Sequence, residues 1–196
     1  YQSLMILPYA FPAFLATLVW KGMLNTDFGF INQVFLGGAH IPWLDNGLLA
    51  KVSILGVNLW LGFPYMFLVC LGALQSLPGD IEEAAKIDGA SGLRTVWSIK
   101  LPLVLQSTVP LLIASFAFNF NNFSLIYMLT GGGPNYPGLS VPVGESDILI
   151  SMVYKIAIDS GSPNYGLASA MSIVIFIVVG VIAWLGFRQT KTLEEL

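Results

Sequence analysis

Long apolar runs, separated by short stretches that collect charge, Gly and Pro, set the pattern of this chain. Four runs stand out, at about 4–24, 48–77, 101–130 and 165–187. A bilayer core about 30 Å thick needs roughly 20 mostly apolar residues per helical span, and each run meets that length. Runs three and four hold no charged residue. Lys51 sits at the mouth of the second, and Lys21 lies near the end of the first, where a long side chain reaches the interface. Pro8 and Pro12 fall in the first run and Pro64 in the middle of the second. Proline is tolerated inside membrane helices when neighbours satisfy the freed carbonyls, and it marks helices that bend or open. The pattern predicts an all-α, polytopic membrane helix bundle, a single transmembrane domain over residues 1–196.

Composition agrees. The chain is 56% hydrophobic and only 10% charged, against roughly a quarter charged in a soluble domain. A net charge of −3 gives no electrostatic case for nucleic acid. Cys70 is the single cysteine, so no internal disulfide or Cys-based metal site forms; its apolar neighbours predict a small packing role. His40, also single, falls in a Gly- and Pro-punctuated loop and reads as solvated. The sequence holds no nucleophile–base pair, metal cluster or paired intramembrane carboxylates, so neither an enzyme nor a cofactor is expected. It also lacks G-x-x-x-x-G-K-[ST], the loop that cradles ATP phosphates. Tyr1 leads straight into an apolar run without a signal-peptide pattern, and N-terminal helices are expected to be missing.

The connections differ in character. Residues 25–47 form a loop with Asp27, Gly37, Gly38, Pro42 and Asp45. A longer loop opens at Gly131-Gly-Gly-Pro134 and ends near Asn164; within it, Glu145 to Ile158 has the apolar spacing of a short amphipathic helix. Lys86, Arg94, Lys100, Arg188 and Lys191 lie on one side of the spans, and Lys21, Lys51 and Lys155 on the other. Five against three places the 78–100 loop in the cytoplasm by the positive-inside rule.

That loop is the most informative segment. Asp80 followed by Glu83 has capping-box spacing, predicting a helix from Ile81 to Asp88. Gly89 suits the position just past a helix C-terminus, and Ser91 can cap a second short helix. Apolar Ile81, Ala84, Ala85, Ile87, Val96, Trp97 and Ile99 are interleaved with the charges. Such residues either pack on the loop's own span ends or dock on a partner.

Glu83-Ala84-Ala85, three residues, Gly89, nine residues, then Ile99-Lys100-Leu101-Pro102 resembles the EAA signature of ABC importer permeases. The resemblance implies a coupling helix that docks in a cleft of an ATP-binding subunit, with Glu83, Ala84, Ala85, Asp88 and Gly89 at the contact. It continues along nearly the whole chain. Leu7-Pro-Tyr9, Trp60-Leu-Gly-Phe-Pro-Tyr65, the stretch Ala114 to Phe123 and the Gly132-Gly-Pro134 step are similar to the C-terminal core of maltose-type permeases.

Polar groups inside a span are expensive and point to function. Ser115, Asn119 and Asn122 fall at offsets 0, 4 and 7, one face of a continuous helix, flanked by Phe116, Phe118, Phe120 and Phe123. Amides beside aromatic rings suit a neutral polyhydroxylated solute, whose hydroxyls meet donors and acceptors and whose C–H faces meet rings. Equally, Asn and Ser join membrane helices to one another, and residues alone leave both roles open. The family resemblance implies a sugar site of the maltose/maltodextrin type lined by Tyr9, Leu61, Gly62, Tyr65, Ser115, Asn119 and Asn122. One departure is Ala13, where that family can carry Ser. It also implies a lipid bilayer setting in a cell membrane, an ATP-binding cassette subunit dimer, a second permease subunit and an extracytoplasmic sugar-binding protein. The alternatives are an ion-coupled secondary transporter, which would usually need carboxylates, His or broken helices coordinating ions within the spans, and a non-transporting membrane scaffold.

Overall fold

A computed structural model describes residues 2–139, 141 and 143–194. Those residues are helical throughout their ordered elements, with a lone β-bridge between Asn135 and Gly144. Three helical stretches are long and apolar enough to cross a membrane: Gly47–Gln75, Gly92–Phe120 and Tyr165–Arg188. The all-α membrane architecture expected above is the one observed. Only 11% of the most apolar window of the first two, and 6% of the third, is buried. Their apolar surface is therefore left for lipid or for other chains.

The first predicted span is not a straight helix. Gln2–Ile6 (α1) continues into a 3-10 turn at Leu7–Ala10, and α2 covers Ala13–Met23. The two halves are bent by 95°. Pro12, extended at the start of α2, supplies no N–H to carry the helix through. Pro64, by contrast, is absorbed inside α3 (Gly47–Gln75). The third predicted span also breaks: α6 (Leu101–Phe120) stops, and α7 (Phe123–Leu129) begins after Asn121 and Asn122. The fourth is α9 (Tyr165–Glu194), longer than its apolar run. Lys191, used above to orient the chain, has its side chain outside the described residues.

The described residues form two compact units, 1–64 with 118–179 and 65–117 with 180–196. In the first, Leu24, Ile54, Val57, Leu125, Ile126 and Leu129 form one core, against which Trp20 and Trp43 pack. A second core joins Val153 and Ile156 to Ala168 and Ile175 of α9. Phe123 and Tyr127 of α7 meet Tyr154 of α8 (Leu149–Tyr154) at ring separations of 4.7 and 5.1 Å. The 25–47 loop folds around Asn32, which is completely buried. Its amide donates to the carbonyls of Thr26 and Ile41 at 2.9 and 3.0 Å, and its oxygen accepts from the Trp43 indole at 2.8 Å. A buried amide with both ends satisfied thus helps set the course of the loop, whose Ile31, Trp43 and Leu44 also pack against the first core. His40 is exposed in this loop, 3.3 Å from Asp27.

The second unit holds the 78–100 loop, most of α6 and the end of α9. Gly186 of α9 is so close to Ile113 of α6 that a Cβ there would lie 3.0 Å from its side chain. Small residues permit this approach between membrane helices. Cys70 is exposed on α3.

Candidate solute site and docking loop

The candidate docking loop, residues 78–100, is a helix, a turn and a second helix. α4 spans Gly79–Ile87 and α5 spans Gly92–Thr95. Pro78 rather than Asp80 precedes the first turn, and no side chain caps it. The expected capping box is therefore absent, because the helix starts ahead of Asp80. Asp80 and Glu82 instead lie within the first turn, where negative charge favours the helix dipole. Gly89 adopts φ +74°, a left-handed conformation that costs other L-residues energy. Ser91 Oγ accepts the Arg94 N–H at 3.4 Å and caps α5 as expected.

Within α4 the faces separate. Ala85 is buried, while Glu83, Ala84, Asp88 and Gly89 are exposed. Ile87 is 86% exposed and Leu93 76%, too apolar for a face that meets only water. Glu82 ties the loop to the foot of α6. Its carboxylate accepts from Lys100 at 2.6 Å and pairs with Lys86 at 3.2 Å. The hydrogen bond from Lys100, helped by Lys86, holds the Glu82 carboxyl below its ordinary value of 4.5.

The polar face of the third span is reorganised by the helix break. Ser115 and Asn119 stay in register on α6. Asn122 stands in the break, so the offset that aligned it with them on a continuous helix does not carry through. Its side-chain oxygen accepts the Leu125 N–H at 3.3 Å and caps α7. Its amide nitrogen donates to Asn58 of α3 at 3.5 Å, the long limit of a hydrogen bond. Ser115 Oγ donates to the Met66 sulfur at 3.9 Å. Tyr9 is exposed in the 3-10 turn. On α3, Leu61 is half-buried, and Gly62 and Tyr65 are exposed. Asn58 was missed by sequence reasoning, although a lone Asn inside an apolar run is itself a signal.

Two cavities lie in the first unit. The larger, about 550 Å³, is bounded by Trp20, Trp43, Trp60 and aliphatic side chains. Its one hydroxyl, Ser53, donates to the Trp43 carbonyl, and the rest of its lining is aromatic and aliphatic. The smaller, about 400 Å³, contains Asn119 and Phe120, facing Gly144, Asp147, Ile148 and Met152. Asn119 and Phe120 are the meeting point of the predicted polar stripe and this cavity.

Apolar spans, some of them broken, joined by an exposed helix–turn–helix loop define an integral membrane component. The family described as binding-protein-dependent transport system inner membrane component matches residues 1–191, and the chain belongs to it. It is 48% identical over 198 residues to the maltose/maltodextrin transport system permease protein MalF of Vibrio parahaemolyticus, covering all of this chain and 38% of that one. The MalF protein of Vibrio cholerae gives the same identity and coverage, and that of Yersinia pestis is 44% identical over 194 residues. The chain thus spans little more than a third of these relatives' length. Among solved structures, a bacterial ABC transporter involved in import of the polysaccharide alginate superposes with TM-score 0.83 at 19% identity, over 97% of this chain and 64% of that one. The same fold recurs in an alginate transporter bound to its pentasaccharide-loaded periplasmic protein.

Proposed function

We propose that the whole protein is a permease subunit of an ATP-driven, binding-protein-dependent importer of maltose or maltodextrins. The observation that carries this reading is the exposed face of α4, where Glu83, Ala84 and Ile87 stand free beside the Gly89 turn. A separate ATP-binding dimer receives that face, and its closing moves the loop. Solute meets Ser115 and Asn119 on α6, Asn122 at the break, and Tyr9, Leu61, Gly62 and Tyr65 from the first two spans. Amides and a tyrosine hydroxyl bind sugar hydroxyls, and phenylalanine rings take the C–H faces. A second permease subunit completes the pathway, and a sugar-binding protein delivers solute from outside. Identity of 48% to proteins named for maltose and maltodextrin supports the substrate class.

The test is ATP hydrolysis by the complete transporter in proteoliposomes, with binding protein and a panel of sugars. Stimulation by maltose or maltodextrins supports the reading. Stimulation by another sugar keeps the importer and moves the specificity, with Ala13 the first position to exchange for Ser. An assembled complex that no sugar stimulates refutes it.

A further inference from the structure

In the sequence Lys155 is one of three cations on the less basic side of the spans. In the structure its ammonium lies 2.7 Å from the Asp147 carboxylate, with the two side chains 4% and 3% exposed. The carboxylate also accepts the Gly144 N–H at 2.7 Å and the Ser151 hydroxyl at 2.8 Å. Gly132 packs so tightly here that a Cβ would strike both the Asp147 carboxylate and the Lys155 ammonium. The pair therefore joins three separate pieces of chain: the Gly131–Gly133 step, the 143–148 segment and the end of α8.

Two charges withdrawn from water are seldom a gain in stability, since apolar residues of similar volume often serve as well. Their use here calls for a role in specifying one arrangement. That arrangement is the wall of the 400 Å³ cavity. Gly144, Asp147, Ile148 and Met152 form one side of it, and Asn119 and Phe120 form the other. The 143–148 segment has no helix of its own; backbone bonds from Glu145 and Ser146 to the Pro134 and Gly132 carbonyls, at 2.9 and 3.1 Å, tie it to the 132–136 stretch of chain, and the Asp147–Lys155 pair ties it to the end of α8.

We propose that Asp147 and Lys155 are positioning residues of the solute pathway. They hold the 143–148 segment as the wall that confines a neutral polyhydroxylated solute against Asn119. The inference rests on the reading of Asn119 as a solute contact. With either charge removed, the wall loosens, and solute is released unproductively while ATP is still hydrolysed.

The test is the number of sugars imported per ATP hydrolysed, measured on the complete transporter in proteoliposomes. This ratio is insensitive to how much complex assembles. Asp147→Asn and Lys155→Met are each expected to lower it roughly two- to thirtyfold, the range for residues that modulate coupling without touching ligand. Ser151→Ala, which removes one hydroxyl and leaves the ion pair, is expected at about the twofold end. If neither ion-pair variant assembles, Ser151→Ala decides. A wild-type ratio in the ion-pair variants that assemble, or in Ser151→Ala when neither does, overturns the proposal. Asn119→Ala in the same assay separates the two failures: wild-type import there removes the solute contact itself, whatever the wall variants do.

Discussion

Lys100, at the foot of α6, donates to Glu82 of α4 across 2.6 Å, and this bond, with help from Lys86, depresses the Glu82 pKa. Because the folded value lies below 4.5, the stabilisation is fully present above 4.5 and fades as pH falls through the lowered folded value. Both side chains are partly exposed, so salt also weakens the bond. The protection of the 79–90 amides, relative to their intrinsic exchange rates at each pH, is expected to fall below pH 4.5 and at high salt, and Glu82→Gln should abolish the acid dependence. Unchanged acid dependence in Glu82→Gln would assign it to another group.

Gly89→Ala tests the turn. No atom lies within 4 Å of a Cβ at this position, so the penalty is conformational, about 1–2 kcal/mol for a left-handed L-residue. Gly92→Ala is the control, with equally open space inside a helical turn, and should be neutral or up to about 1 kcal/mol stabilising. Recovery of the ATP-binding subunit on affinity purification should fall for Gly89→Ala and hold for Gly92→Ala. Equal recovery would deny the turn a part in docking.

Asn122 caps α7, and substitutions can separate that duty from its proposed contact with solute. Asn122→Ala removes the α7 cap and should cost about 1 kcal/mol in thermal unfolding. Asn122→Ser keeps a capping oxygen while losing the amide. Near-wild-type unfolding together with reduced sugar uptake is expected for Asn122→Ser; full uptake would confine Asn122 to its structural duty.

Asn32 is the hub of the 25–47 loop. Asn32→Leu leaves the Trp43 N–H and the Thr26 and Ile41 carbonyls without this partner, at about 1–3 kcal/mol for each group left buried and unpaired. Thermal unfolding should begin earlier, with Trp43 emission shifted to the red before the global transition. A single transition at the wild-type temperature would refute the hub role.

Much of this architecture was legible in the chain. The second and fourth apolar runs give α3 and most of α9, because long uninterrupted apolar sequence admits few alternatives. Gly89 and Ser91 announced the loop's turn and cap through local chemistry. The break at Asn121–Asn122 did not show, since apolar periodicity runs through it, although Asn is itself a favoured helix cap. Asp80 misled because Asp is also common one or two residues inside a helix start. The Asp147–Lys155 bond was hidden because it closes through a folded loop, between residues too far apart along the sequence to touch on one regular helix or strand.

From Gly92 to Phe120 the backbone is one helical stretch of 29 residues, about 43 Å at 1.5 Å per residue. Each residue also turns the chain by about 100°. Residue count along this segment therefore fixes an angle as well as a length. One inserted residue would rotate Ser115 by about 100° relative to Gly92, and about four or seven would bring its face back close to where it began. The π-helical turn at Val96–Lys100 already holds a wider winding within the segment. Substitutions along its exposed faces leave this phase intact, whereas single-residue insertions and deletions reset the bearing of every polar group beyond them.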